Sequence, residues 1–335
     1  MIFSIQLTGS EDSTISISEC DFLDCKASKY SIGNVVLNDI TFGNCLGDGY
    51  NSINAVFENI NNNDQDLIIQ DLVLRNLFSN PSLYAYQIKA NINIKLSHCI
   101  FENCSSFNSQ GGGSSSCLNP LSKISFEYCN WIDNYCSECG GALQLGNSAE
   151  TNQLILSFEY CNFTQNRALK LGGALMIQTQ ADVFIIHCIF SKNVAGYAQS
   201  SRLLDEDGFG GAIYINPGFQ TPPNTKPEYA INNCQFIENQ GIDGHAIVIR
   251  IGIDEAVSFD KNIFQDNGAN GSSIVTDIEI NLDDSTFNIT DEDKPLSNPI
   301  QFEGIPTYAK HLTYKNQIIF ESNDEAHFYN CTFDN

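Results

Sequence analysis

A chain of 335 residues with 16 Lys and Arg against 40 Asp and Glu carries a formal charge of −24, a balance that excludes nucleic acid and anionic membrane surfaces as partners. The hydrophobic fraction of 42% is adequate for a core, yet no apolar run approaches the roughly 20 residues of a membrane-spanning helix. Two globular domains would fit this length, but a solenoid needs no such division.

Taken in order, residues 1–60 are expected to form two or three coils, marked by Cys20-x-Phe22-x-x-Cys25 and the weaker Ile40-x-Phe42-x-x-Cys45. The polar run Asn59 to Asp66 is a loop, and Leu67 to Leu77 supplies the strands of a coil without cysteine, with Asn80-Pro81 as its corner. Cys99-x-Phe101-x-x-Cys104 begins the next coil. A Gly- and Ser-rich stretch, Ser105 to Ser116, reads as a loop and leads to Cys117, Cys136 and Cys139.

The regular centre spans residues 123–251, and its repeat has two halves. Cys161-x-Phe163-x-x-Asn166 recurs as Cys129-x-Trp131-x-x-Asn134, Cys188-x-Phe190-x-x-Asn193 and Cys234-x-Phe236-x-x-Asn239, while Asn262-x-Phe264-x-x-Asn267 lacks only the cysteine. Gly172-Gly173-Ala174, followed by apolar alternation, recurs as Gly140-Gly141-Ala142 and around Gly211-Ala212-Ile213. Cys129 to Gly140 and Cys161 to Gly172 are both eleven residues, whereas Cys188 to Gly210 is twenty-two, so an insertion opens a loop there. Self-similarity at this period is the mark of a solenoid.

The segments Leu156 to Phe163 and Asp182 to Phe190 are rich in β-branched and aromatic residues, have strand length and end at Asn or Gly, with no helix caps. Period-two alternation puts Cys161 and Phe163 on one face and Asn162 on the other. The predicted fold is therefore all-β, a right-handed parallel β-helix of roughly ten to twelve coils with loop insertions, about 50–60 Å long. In it the Phe or Trp residues stack as an internal ladder, and the recurring Asn sits at a left-handed corner where its side chain replaces a backbone partner. The Gly pair supplies a second corner, through positive φ or close backbone approach.

The pairing of Phe-x-x-Asn with Gly-Gly-Ala-apolar resembles the repeat of chlamydial polymorphic outer membrane proteins, and similar repeats occur in large surface proteins of protists. The resemblance covers roughly Asp21 to Asn267. It implies a β-helix used for surface display and adhesion, and its matched positions are structural, so no functional residue is carried over from it.

Two insertions leave the centre, the acidic Ser200 to Gly208 and the proline-rich Pro217 to Pro227, and they are candidates for partner contact. Beyond Gly252 the pattern fades, with Phe259, Phe264, Ile274 to Leu282 and Phe287 still in strand-like runs. Asp283 to Pro299 reads as an acidic loop, and Ile318 to Phe333 as the start of another coil.

Thirteen cysteines and sequons at Asn103, Asn162, Asn270, Asn288 and Asn330 point to an extracellular or cell-surface location. The start, MIFSIQLTGS, is too quickly polar for a secretory signal. The expectation is that all 335 residues form a single β-helix segment of a longer chain, with signal and anchor elsewhere. Cys25 and Cys45 fall at equivalent corners and are disulfide candidates, with buried thiols the alternative. Cys104, Cys117, Cys136 and Cys139 are favoured as disulfides over zinc ligands, because Cys136-x-x-Cys139 has no second close Cys or His pair. Cys129, Cys161, Cys188 and Cys234 recur at one inward position, as a small apolar ladder.

Catalysis is the rival reading, since β-helices include polysaccharide hydrolases and lyases. Asp283-Asp284, Gly244-His245 and Arg250-Ile251 are reminiscent of polygalacturonase motifs, but their order is wrong and Ala follows His245. His98 and His187 each precede a cysteine and should point to solvent. No catalytic, cofactor or metal residue is assigned; the acids at Asp205-Glu206-Asp207-Gly208 offer calcium ligands but fit a solvated turn better. The expected role is a structural or adhesive surface glycoprotein, displaying loops and glycans, self-associating or joining a surface assembly of other chains such as a filament or coat.

Overall fold

The computed structural model places backbone strands from Ile15 to Asp334. Side chains are described for residues 95–106, 123–145, 155–178, 181–196, 208–217, 228–251, 257–268, 272–277 and 282–288, with a few between 70 and 76. Every strand pairing is parallel: a 22-stranded sheet, an eight-stranded sheet, a four-stranded sheet and one strand pair. The described residues contain no helix. The protein is an all-β parallel solenoid, and residues 123–251 make its four most regular coils.

One coil shows how the repeat folds. Leu154–Glu159, Asn162–Thr164, Arg167–Ala168 and Leu175–Ile177 are four short strands separated by three bends. Each bend is made by one residue in the left-handed region: Tyr160 at φ 54°, Gln165 at φ 59° and Gly172 at φ 61°. The same three places recur in the preceding coil at Tyr128, Asp133 and Gly140.

Here the expectation needs correcting: the left-handed residue at the second bend is the one before the recurring Asn, not the Asn itself. Asp133, Gln165, Lys192, Glu238 and Asp266 take positive φ, while Asn134, Asn166, Asn193, Asn239 and Asn267 are buried just after them. The reason is direction: from Asp133 to Glu238 the bend residue points outward, so the following side chain is turned into the core. There the amide stands in for backbone partners, as anticipated.

The Phe-x-x-Asn half aligns the coils. Among the described strands, register runs through twelve successive rungs: Phe22, Phe42, Leu74, Phe101, Trp131, Phe163, Phe190, Phe236, Phe264, Phe287, Tyr314 and Phe333. Where side chains are described, the rings stack nearly parallel, as in Trp131 on Phe163 (4.5 Å, 1°) and Phe163 on Phe190 (4.7 Å, 2°). Phe126 on Phe158 forms a second stack, edge-on to Trp131 at 68°. Each buried ring contributes roughly 1.5–3 kcal/mol by burial alone, and Leu, Ile, Val and Ala side chains fill the core around these stacks.

The Gly-Gly-Ala half makes the third bend, and its two glycines serve different needs. Gly172 supplies positive φ, whereas a Cβ on Gly173 would lie 2.0 Å from the Gly211 carbonyl oxygen of the next coil. The next copy is Gly244-His245-Ala246, in which His245 replaces the second glycine, because its backbone oxygen faces Gly211 and its N–H reaches Ser272 O at 2.7 Å. Two stretches expected as loops also contain strands. Ser105–Ser106 and Ser115–Cys117 lie within or at the end of the first, and Thr286–Asn288 lies within the second at the strand expected around Phe287, which extends the ring stack over Phe264 at 4.5 Å. Polar composition hid the first two, which contain only Ser and Cys.

Candidate functional site: the outer aromatic corner

The inside of the solenoid is chemically quiet. Asn166 donates from Nδ2 to Trp131 O and to Asn193 Oδ1, each at 3.0 Å, and Asn134, Asn193 and Asn239 repeat both bonds in their own coils. Such a ladder satisfies every buried amide it contains, which makes it worth more than its separate bonds.

Beside it runs the thiol row Cys99, Cys129, Cys161, Cys188 and Cys234, all fully buried and unbridged. Cys161 Sγ donates to Phe126 O and Glu159 O at 3.4 Å. Burial pushes the Cys161 and Cys234 thiols well above the ordinary range, and it pushes Cys136 up to about 12. Neutral buried thiols are poor nucleophiles, so Cys161 and Cys234 serve as packing. The row ends where Asn262 and Ser285 take the same position and bond Ile231 O (2.6 Å) and Phe259 O (2.7 Å) instead.

Cys104, Cys136 and Cys139 are not joined by disulfides in the structure. Register explains this: Cys104 N reaches Asn134 Oδ1 at 3.0 Å, in the slot of the Asn ladder, and Cys136 lies opposite Ser106 and Ala168. No two of the three lie across from one another. The side chains of Cys25, Cys45 and Cys117 lie outside the described residues.

Among the sequon residues, Asn162 is on the outer face of its strand, as alternation requires, and donates to Asn130 Oδ1 at 2.9 Å. Asn103 is exposed at a second-bend position and donates to Asn76 Oδ1 at 2.6 Å. Asn288 is half-buried on an outer strand face. Asn270 and Asn330 lie outside the described residues, as do Asp205, Glu206 and Asp207.

The residues of the rival enzymatic reading are not brought together. His245 is buried in the third bend, where its Nδ1 accepts from Gly241 N at 3.2 Å. Asp284 occupies a first bend at φ 55°, and Arg250 lies over the Phe209 ring at 5.0 Å. Among the described residues no group of three or more His, Cys, Asp or Glu is placed to hold a metal ion, and no helix is long and apolar enough to cross a membrane.

The distinctive feature lies outside, at the first bend. His98, Tyr128, Tyr160 and His187 hold positive φ of 54–56° in four successive coils. Their rings stack at 5.2, 5.0 and 4.8 Å within 12° of parallel. Both histidines face solvent as expected, but the continuous stack was not foreseen. Its sequence signal is an aromatic residue directly before the motif cysteine in these four coils, where other coils have Asn233, Lys261 or Asp284. A bulky ring in the left-handed region costs on the order of 1 kcal/mol or more, and ring stacking returns about 0.5–1.5 kcal/mol per pair. The aromatics are thus no better for the bend than Asn or Asp, and they leave Tyr128 48% and Tyr160 44% exposed. That is the composition of a contact surface rather than of a turn.

Comparison with protein-family models, curated proteins and solved structures found no match to this chain.

Proposed function

We propose that the chain is a structural and adhesive segment of a cell-surface or extracellular glycoprotein, a stiff rod whose outer faces and loops make contacts with other chains. The observation that carries this reading is the Asn134 to Asn267 ladder, in which five buried amides in successive coils bond one another and the backbone on either side. A rod so cross-linked bends little, and a rigid scaffold with exposed aromatics on one corner is suited to holding contacts in place. The likeness of the repeat to surface-display repeats, the sequons and the absence of polyanion-binding charge support the same reading.

The test is to isolate the protein from its natural source, map glycopeptides at Asn103, Asn162 and Asn288 by mass spectrometry, and label intact cells with an antibody. Glycan at one or more of these sites together with surface labelling is the expected result. An unmodified protein confined to the cell interior would overturn the proposal.

A further inference from the structure

The two tyrosines of the outer corner are placed to react with each other. Tyr128 and Tyr160 stand one coil apart, with register set on both sides of them by Glu127 opposite Glu159 and Asn130 opposite Asn162, and Tyr128 N–H donates to Glu159 O at 3.0 Å. Their rings lie 5.0 Å apart and 5° from parallel. His98 covers the far face of Tyr128 at 5.2 Å, and His187 covers that of Tyr160 at 4.8 Å. The stack thus holds two phenols side by side, closed at each end by an imidazole, with the ring edges of Tyr128 and Tyr160 open to solvent. Of the other tyrosines described, Tyr214 and Tyr229 are buried and Tyr135 is half-buried.

We propose that Tyr128 and Tyr160 are an oxidative cross-linking site, joined as dityrosine when a peroxidase acts on the chain with hydrogen peroxide. Each phenol gives up one electron and one proton, and the two phenoxyl radicals combine through a carbon-carbon bond between one ring carbon ortho to each hydroxyl. The hydrogens on those two carbons then leave as protons and return to the two oxygens, which restores both phenols. Hydrogen peroxide takes up the two electrons and two protons and becomes two waters.

Proximity selects this pair. Each phenol has the other at stacking distance in the same chain, an arrangement of high effective molarity, whereas a phenol of another chain must approach against a formal charge of −24 on both. The half-exposed rings can tilt out of the stack to bring their ortho carbons together, because the tyrosine χ2 torsion is soft. The bond ties residues 32 positions apart, and it does at the surface what the Asn134 to Asn166 hydrogen bond does inside. The inference rests on the reading of the chain as a surface structural protein, since that location supplies the oxidant, and it gives the rod a covalent staple.

The test treats the intact 335-residue chain with a peroxidase and hydrogen peroxide, at about 1 µM so that encounters between chains are rare. Mass spectrometry of the digest should show a peptide pair joined through Tyr128 and Tyr160 that has lost two hydrogens. Dityrosine fluorescence should appear, the chain should remain a monomer on a denaturing gel, and its urea midpoint should rise. Tyr160→Phe keeps the ring and loses only the hydroxyl; its fluorescence after treatment should fall by about tenfold or more, with unchanged circular dichroism. A chain left unlinked, a link found only between other tyrosines or only between chains, or undiminished fluorescence in Tyr160→Phe would each overturn the inference. The protein from its natural source, digested in the same way, should already carry the link. Its absence from a protein that is glycosylated and surface-exposed overturns this inference alone, whereas a linked protein found unglycosylated inside cells overturns the proposed function alone.

Discussion

Asn193 Oδ1 accepts two hydrogen bonds from Asn166 of the preceding coil, one from its side-chain amide and one from its backbone N–H, each at 3.0 Å. Each ladder oxygen thereby ties two coils, and each amide hydrogen pair ties three, since Asn166 also reaches back to Trp131 O.

Asn166→Ala should therefore be far more costly than its size suggests. It leaves Asn134 Nδ2, Asn134 N and Trp131 O without their partner in a site of zero exposure, and each orphaned group costs about 1–3 kcal/mol. A loss of roughly 3 kcal/mol or more is expected by denaturant titration. Asn166→Asp should be worst near neutral pH and partly relieved in acid. Its buried carboxyl has a raised folded-state pKa, so the folded variant gains protons, and stability, as pH falls.

Trp131 presents the opposite case. Its ring is part of the ladder, but its Nε1 is buried with no hydrogen-bond partner. Trp131→Phe removes that orphan donor and keeps a ring at a position where six described coils already use Phe. The lost burial and the removed penalty offset within about 1 kcal/mol. Phe163→Ala should instead cost about 3–5 kcal/mol, and thermal melting of the two variants would show whether this ordering holds.

The glycine pair separates two physical requirements. Gly172→Ala meets the left-handed penalty of about 1 kcal/mol or somewhat more and a Cβ 2.4 Å from Leu175 O within its own bend, whereas Gly173→Ala drives a Cβ to 2.0 Å from the Gly211 carbonyl oxygen of the next coil and to 2.6 Å from the Val194 backbone. Gly173→Ala should be the more damaging by at least about 1 kcal/mol. Equal losses in a urea titration would show that the close approach can relax.

Cys136 links folding to alkaline pH. Burial raises its pKa from 9.0 to about 12, so between these values the unfolded chain releases a proton that the folded chain keeps. This contribution is neutral below about pH 9, and stability then falls by about 1.4 kcal/mol per pH unit up to about 12. Cys136→Ala should flatten that slope in melting experiments from pH 8 to 11, and an unchanged slope would contradict the burial argument.

The number and alignment of the coils were legible in the chain, because the inward Phe or Trp and the Gly-Gly-Ala corner are local patterns that each coil must satisfy for itself. Cys161, Phe163 and Asn166 specify one rung wherever they occur, and the register from Trp131 to Phe236 follows from repeating them. What only the tertiary structure decided is what one coil does to the next. Which residue at the second bend turns left-handed, the slot that Cys104 shares with the Asn ladder and the His98 to His187 stack all join residues about 25 to 50 positions apart. Insertions between coils change those separations without changing the rung. A linear pattern therefore holds the shape of each coil, and its neighbours are determined by stacking.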